Sequence, residues 1–198
     1  MCYGPRMARV KEFDPEVALE RAMELFWRKG YECTSVTDLV DHLGVAKASL
    51  YATFGTKHDL YVAALNRYIR HPDPDPAELL AGTGPVLPAI QTLLDLYATP
   101  ATADRPQGCM VIDAAVECQP GDHAVQSQLE LSWRANEVTL TTALLRARAQ
   151  GELRDGVDPA ELARYLLVLI QGIQVIKASD EGVGRARDAA RHALDAVR

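Results

Sequence analysis

A short run between Gly44 and Gly55 carries the first side chains that could do chemistry. It reads VAKASLYATF. At helical period, Val45, Leu50 and Phe54 turn to one side, and Lys47, Ala48, Ser49 and Tyr51 turn to the other. Such a face suits the acceptor-rich edges of nucleic acid. An ammonium reaches guanine acceptors or phosphate, a hydroxyl bonds either, and a residue as small as Ala48 lets the backbone approach closely. The phenol of Tyr51, the hydroxyls of Thr34 and Ser35 before the run, and the ammonium of Lys57 after it extend this surface toward phosphates. A second candidate is the thiol of Cys109 in RPQGCM. A cysteine at a helix N-terminus has a lowered pKa and a larger thiolate fraction. The same residue serves equally well as a small buried hydrophobe.

These side chains need helices to hold them, and helix signals run through the whole chain. Asp14 and Pro15 read as N-cap and first residue of a helix over about 14–29, with an apolar stripe of Ala18, Ala22, Leu25 and Phe26. Ser35 with Asp38, and Thr56 with Asp59, have the spacing of a capping box. They predict helices over 35–43 and 56–70, with a third over 46–54 between Gly44 and Gly55. Two short helices joined at Gly44 with almost no loop make the helix-turn-helix layout, whose second helix lies in the major groove. The segment HPDPDP from His71 to Pro76 interrupts helix and marks a domain boundary. Beyond it the pattern predicts helices over about 77–81, 85–99, 105–118, 122–150, 158–178 and 182–197. No strand alternation is visible. The expected fold is all-α, with residues 1–70 as a helix-turn-helix DNA-binding domain and 71–198 as a helical ligand-binding and dimerisation domain.

Composition narrows the function. The 198 residues carry a net charge of −6, which at first sight speaks against a polyanionic partner. The charge is unevenly spread. Residues 1–70 hold ten Lys and Arg against nine Asp and Glu, and 71–198 hold eleven against eighteen. The arm before Asp14 adds Arg6, Arg9 and Lys11 against Glu12, so cations gather where phosphates would lie. The longest apolar run, Tyr165 to Ile170, is far short of the roughly 20 residues of a membrane span. The first thirteen residues lack the apolar core of a signal peptide. Cys2, Cys33, Cys109 and Cys118 are too few for a disulfide scaffold and fit reduced thiols in a cytoplasmic protein. No phosphate loop, serine elbow or zinc-protease motif occurs, and His42, His58, His71, His123 and His192 do not pair at metal spacing. No catalytic residue, metal or cofactor is expected. His192 reads as a surface partner of Asp188, four residues earlier.

The run ALERAMELFWRKGYECTSVTDLVDHLGVAKASLYATFGTKHDLYVAAL, from Ala18 to Leu65, resembles the DNA-binding domain of the TetR family of transcriptional regulators. The shared features are Phe26, Gly30-Tyr31, Thr34-Ser35-Val36, Leu43-Gly44-Val45, the segment Lys47 to Tyr51, Phe54, Lys57 and Leu60. Ala48 stands where glycine is common in the family, and Thr53 where many members have histidine, so no operator sequence carries over. The resemblance implies a homodimer on a pseudo-palindromic double-stranded DNA operator, released by a small-molecule effector. It also implies pairing of the last two long helices, about 158–197, in a four-helix bundle. The segment GCMVIDAAVE is similar to a Gly-Cys segment of a subgroup in which some members sense electrophiles or oxidants through cysteine.

An effector pocket is expected between the helices of the second half. Its candidate lining is Leu65, Tyr68, Leu93, Tyr97, Cys109, Ile112, Trp133 and Tyr165. Each is equally suited to a plain helical core. The apolar stretch LARYLLVLIQGIQVIKA must be covered on several sides. Its Gln171 and Gln174 could bond a ligand or meet across a dimer seam, and Gly172 permits close helix approach. The rival to the regulator reading is a helical small-molecule-binding protein or enzyme with a pocket in the second half and no DNA target.

Overall fold

The computed structural model describes residues 13–100, 106, 108–179 and 181–195. The basic arm with Arg6, Arg9 and Lys11, and Cys2, lie outside the described residues. Ten helices follow in order: α1 (Pro15–Lys29), α2 (Val36–Leu43), α3 (Lys47–Phe54), α4 (Lys57–Arg70), α5 (Pro76–Leu80), α6 (Val86–Ala98), α7 (Met110–Glu117), α8 (His123–Ala149), α9 (Pro159–Ile176) and α10 (Gly182–His192). Every described element is helical, as expected.

The capping signals act as predicted. Asp14 accepts the N–H of Glu16 and so starts α1. Ser35 and Thr56 each close a capping box, with Asp38 and Asp59. Each box satisfies two backbone donors that a helix start would otherwise leave bare. Between α2 and α3, Gly44 takes a left-handed conformation (φ 68°, ψ 30°), which gives the tight turn without a loop.

Two predicted helices are shorter than expected. The helix placed at 105–118 begins only at Met110. Gly108 has φ of 88°, and Cys109 is extended (φ −137°, ψ 117°), so neither continues a helix. The helix placed at 182–197 ends at His192, and Ala193 to Asp195 form a turn tightened by three-residue hydrogen bonds. That turn changes the partner of His192. Its Nδ1 lies 2.6 Å from Asp195, while Asp188 pairs with Arg191.

The helices enclose two hydrophobic cores. One holds Ala22, Phe26, Leu39, Leu50, Leu60 and Leu65 from α1 to α4. It does not end at the proline-rich segment, because Met110, Val111 and Ala114 of α7 and Val125 and Leu129 of α8 complete it. The other lies among α5, α6, α9, α10 and the later part of α8. The 27-residue α8, about 40 Å long, runs through both. By length and composition α9 is apolar enough to cross a membrane. Its place accounts for that composition, since Leu162, Leu166, Ile170 and Ile173 are buried in the second core.

Phe26 is 1% exposed and meets Tyr61 edge-on at 5.1 Å between ring centroids. Phe26→Ala is expected to lower folding stability by about 3–5 kcal/mol, read from urea unfolding at fixed protein concentration.

Candidate nucleic-acid interface and cavity

The outward face of α3 is built by what its other face must bury. Leu50 is 4% exposed and anchors the helix, with Val45 and Phe54 packed on the same core. Lys47, Ala48 and Tyr51 are exposed, and Ser49 is half-buried. The Lys47 ammonium sits 5.9 Å from the Tyr51 ring centroid, so cation and phenol share one patch. At the start of α4, the Lys57 ammonium rests 4.1 Å over the ring of Tyr31.

The two hydroxyls before α2 are differently placed. Ser35 is exposed, but its hydroxyl accepts from the Asp38 N–H at 3.0 Å and donates to the Asp38 carboxylate at 2.7 Å. The Lys29 ammonium, 2.8 Å away, and Ser35 hold that carboxyl well below the usual range. Thr34 corrects the sequence reading. It is fully buried, and its hydroxyl donates to the Gly30 carbonyl at 2.6 Å. It pins the turn after α1 and is not presented to phosphate.

The four-helix head is tied to the rest of the chain by polar contacts. The Tyr31 N–H donates to Glu117 Oε2 at 2.6 Å. His58 Nε2 lies 2.8 Å from Asp122, the N-cap of α8. Burial is the largest single influence on Asp122 and opposes its ionisation, but His58 together with the N–H groups of Val125 and Ala124 outweighs it and holds the carboxyl below the ordinary value. Asn66 donates to Gln128 at 2.9 Å.

Between this head and the second core lies a cavity of about 410 Å³. Trp27, Tyr68, Tyr97, Cys109, Asn136, Gln171 and Gln174 are among its walls, with the segment from Pro72 to Ala77. Trp27 meets Tyr68 edge-on at 4.9 Å. Burial, then the adjoining Cys109 thiol, pushes the Tyr68 phenol well above its ordinary range, and the same two causes in the same order raise Tyr97. Both phenols are therefore neutral donors at any physiological pH. Cys109 is 7% exposed and is the N-cap of α7. Cys118 caps the far end of that helix, so eight helical residues separate the two thiols.

Of the residues expected to line a pocket, the structure brings Tyr68, Tyr97 and Cys109 to this cavity. Leu65 and Leu93 do not reach it, being wholly enclosed in the two cores. Ile112 and Trp133 pack on the first core, and Tyr165 is 51% exposed on the outer side of α9. Sequence reasoning singled out Gln171 and Gln174 but missed Trp27, Asn136 and Lys177. Trp27 lies next to the stripe of α1, which reads as head core. Only knowing that the head forms a cavity wall gives it a second role.

With this geometry in place, comparison with known proteins is decisive. The family model for bacterial regulatory proteins of the tetR family matches residues 18–64, and that for the tetracyclin repressor-like C-terminal domain matches 86–196. The chain belongs to the TetR family. It is a DNA-binding transcriptional regulator by that membership. It is 39% identical over 165 residues to the uncharacterized HTH-type transcriptional regulator YezE of Bacillus subtilis (strain 168), covering 81% of this chain and 84% of that one. It is 34% identical over 176 residues to the HTH-type transcriptional repressor ComR of Escherichia coli (strain K12), covering 88% and 84%. Among solved structures, a cysteine mutant of the TetR family regulator CifR, complexed with 26-bp double-strand operator DNA, superposes with a TM-score of 0.84 at 28% identity. That match covers 96% of this chain and 100% of the other.

Lys57→Ala is expected to weaken binding to all duplexes roughly five- to tenfold at 0.1 M salt and to reduce the slope of log K against log salt by about one. Lys47→Ala is expected to alter the preferred sequence, read by selection from a randomised duplex pool. Thr34→Val is expected to lower stability by about 1–3 kcal/mol, because the Gly30 carbonyl loses its donor, and to leave the salt slope unchanged.

Proposed function

We propose that this chain is a homodimeric repressor, acting in the cytoplasm, that leaves its operator when a small molecule fills the cavity or an electrophile captures the Cys109 thiol. The observation that carries this reading is the shared wall of the cavity. Trp27 and Tyr68 come from the DNA-reading head, and Tyr97, Gln171 and Gln174 come from the second half. A ligand touching both binds best to one relative placement of the two, and such differential affinity is what shifts a conformational equilibrium.

The polar inventory of the wall supports a neutral effector. Gln171 Oε1 is buried with no hydrogen-bond partner, and Gln174 is 9% exposed. The charged groups nearby are engaged. The Lys177 ammonium donates to the Tyr97 carbonyl at 2.8 Å, and Asp75 caps α5. A ligand with an aromatic or aliphatic body and a hydroxyl, carbonyl or amide would satisfy the amides.

The face proposed for dimerisation differs in part from the expected pairing of helices in 158–197. On α9, Tyr165, Val168 (71% exposed), Val175 and Ile176 are exposed, and on α8 so are Leu131, Val138 and Leu145. Gly172 falls within the α9 stripe, with open space where a side chain would be. The exposed residues of α10, by contrast, include Arg185, Arg187, Asp188 and Arg191. An apolar surface of this kind calls for a partner, and α8 with α9 supplies it where α10 does not.

A gel shift with the region upstream of the chain's own gene is expected to show a salt-sensitive complex that unrelated DNA does not compete away. Absence of any preference over random duplex at moderate salt would sink the reading. Val168→Glu is expected to sediment as a monomer at micromolar concentration and to lose at least tenfold in operator affinity. Cys109→Ser is expected to keep operator binding and to lose release by N-ethylmaleimide. Unchanged release would remove the thiol branch and leave the small-molecule branch standing.

A further inference from the structure

We propose that Glu117 is a positioning residue for DNA binding, acting through Tyr31 to hold the Lys57 ammonium at the phosphate-facing surface. This rests on the DNA-reading role proposed above.

The contacts form one unbroken series. Glu117 is the last residue of α7, and its Oε2 accepts the Tyr31 N–H at 2.6 Å. Its other oxygen lies against Gly30, so closely that a Cβ at position 30 would collide with it. The turn between α1 and α2 is thereby gripped from two sides, with the Thr34 hydroxyl on the Gly30 carbonyl and Glu117 on the Tyr31 amide. Fixing that amide sets where the side chain leaves the backbone, and the rings of Phe26 and Tyr61 then hold the phenol in place. The Tyr31 ring stands 4.7 Å from Tyr61 and edge-on to His58 at 6.2 Å, and it carries the Lys57 ammonium on its face at 4.1 Å. A lysine has several rotatable bonds and a strongly hydrated head, so by itself it is poorly placed for one phosphate. A ring beneath it reduces the entropy lost when phosphate is met.

The same helix reaches the cavity at its other end. Cys109 caps α7, Val111 lies in its first turn, and both line the cavity. Eight residues, about 12 Å of helix, separate a wall of the effector site from the carboxylate that grips the head. A short hydrogen bond tolerates little displacement. A movement of α7 of about an ångström takes the pair out of bonding range.

General electrostatics makes the opposite prediction, which renders the proposal testable. Removing an anion from a protein that binds a polyanion should strengthen the complex. The grip described here requires that it weaken. Fluorescence anisotropy of the full-length protein with a labelled duplex from its own upstream region, at 50–300 mM salt, gives the readout. Expected for Glu117→Ala is a five- to tenfold loss at 0.1 M salt, with the salt slope reduced by about one, as for Lys57→Ala. The double variant should lose no more than either single one. Glu117→Gln keeps an acceptor oxygen and should restore the parent slope. Tyr31→Leu keeps the backbone N–H and the carboxylate but removes the ring, and should behave like Lys57→Ala even if Glu117→Ala fails to fold. Tighter binding by Glu117→Ala, an unchanged salt slope in Tyr31→Leu, or additive losses would overturn the proposal. Absence of a complex with the parent protein would instead overturn the DNA-reading role itself.

Discussion

The head of this chain does not close its own apolar core, and much of the rest of the structure follows from that. The core around Phe26, Leu39 and Leu60 stays open on the side facing α7 and α8 until Met110, Ala114, Val125 and Leu129 close it. The DNA-reading unit is therefore not a free module on a linker. It borrows its floor from the regulatory half. Any change in α7 or in the first turns of α8 acts on a wall of the head's own core, and close-packed walls shift between arrangements rather than deform smoothly.

That shared floor also places the cavity. It opens where the first core gives way to the second, between Trp27 and Tyr68 on one side and α8 and α9 on the other. Its two raised phenols, side-chain amides and single thiol offer hydrogen bonds, with Asp73, Asp75 and Lys177 also in the wall. Most of the acidic balance of the second half is carried elsewhere. Several of its carboxylates have structural work, with Glu152 accepting two N–H groups at the start of α6 and Asp158 two at the start of α9. A net charge of −6 is thus compatible with a polyanionic partner, because the excess of anions belongs to residues 71–198 and not to the head.

Local signals were the legible part of the sequence. Asp14, Ser35 and Thr56 marked helix starts to within a residue because a cap is a contact among near neighbours. The outward face of α3 was legible too, since Leu50 and Phe54 fix its orientation. What depended on distant residues was not. Nothing near Thr34 in sequence shows that its hydroxyl turns inward, and nothing near Trp27 shows that it lines a cavity together with Tyr97. Leu65, Leu93, Ile112 and Trp133 have the right composition for a pocket, but a core needs the same residue types, and only the position of neighbouring helices separates the two uses. The late start of α7 has a local cause in Gly108, whose positive φ interrupts the helical pattern that the following run suggests.

Gly30 and Gly44 have nearly the same φ, 78° and 68°, yet they stand under different constraints. Gly44 has the ψ of a left-handed helix and open space around it, a conformation that asparagine also adopts. Gly30 has ψ of 166°, a region reserved almost wholly for glycine, and a carboxylate fills the place of any Cβ. Sequence drift at position 44 is a matter of backbone preference alone. At position 30 it is also a matter of what stands 87 residues later, at Glu117. The two positions are sterically coupled: the glycine leaves room for the carboxylate, and the carboxylate uses that room to reach the Tyr31 amide.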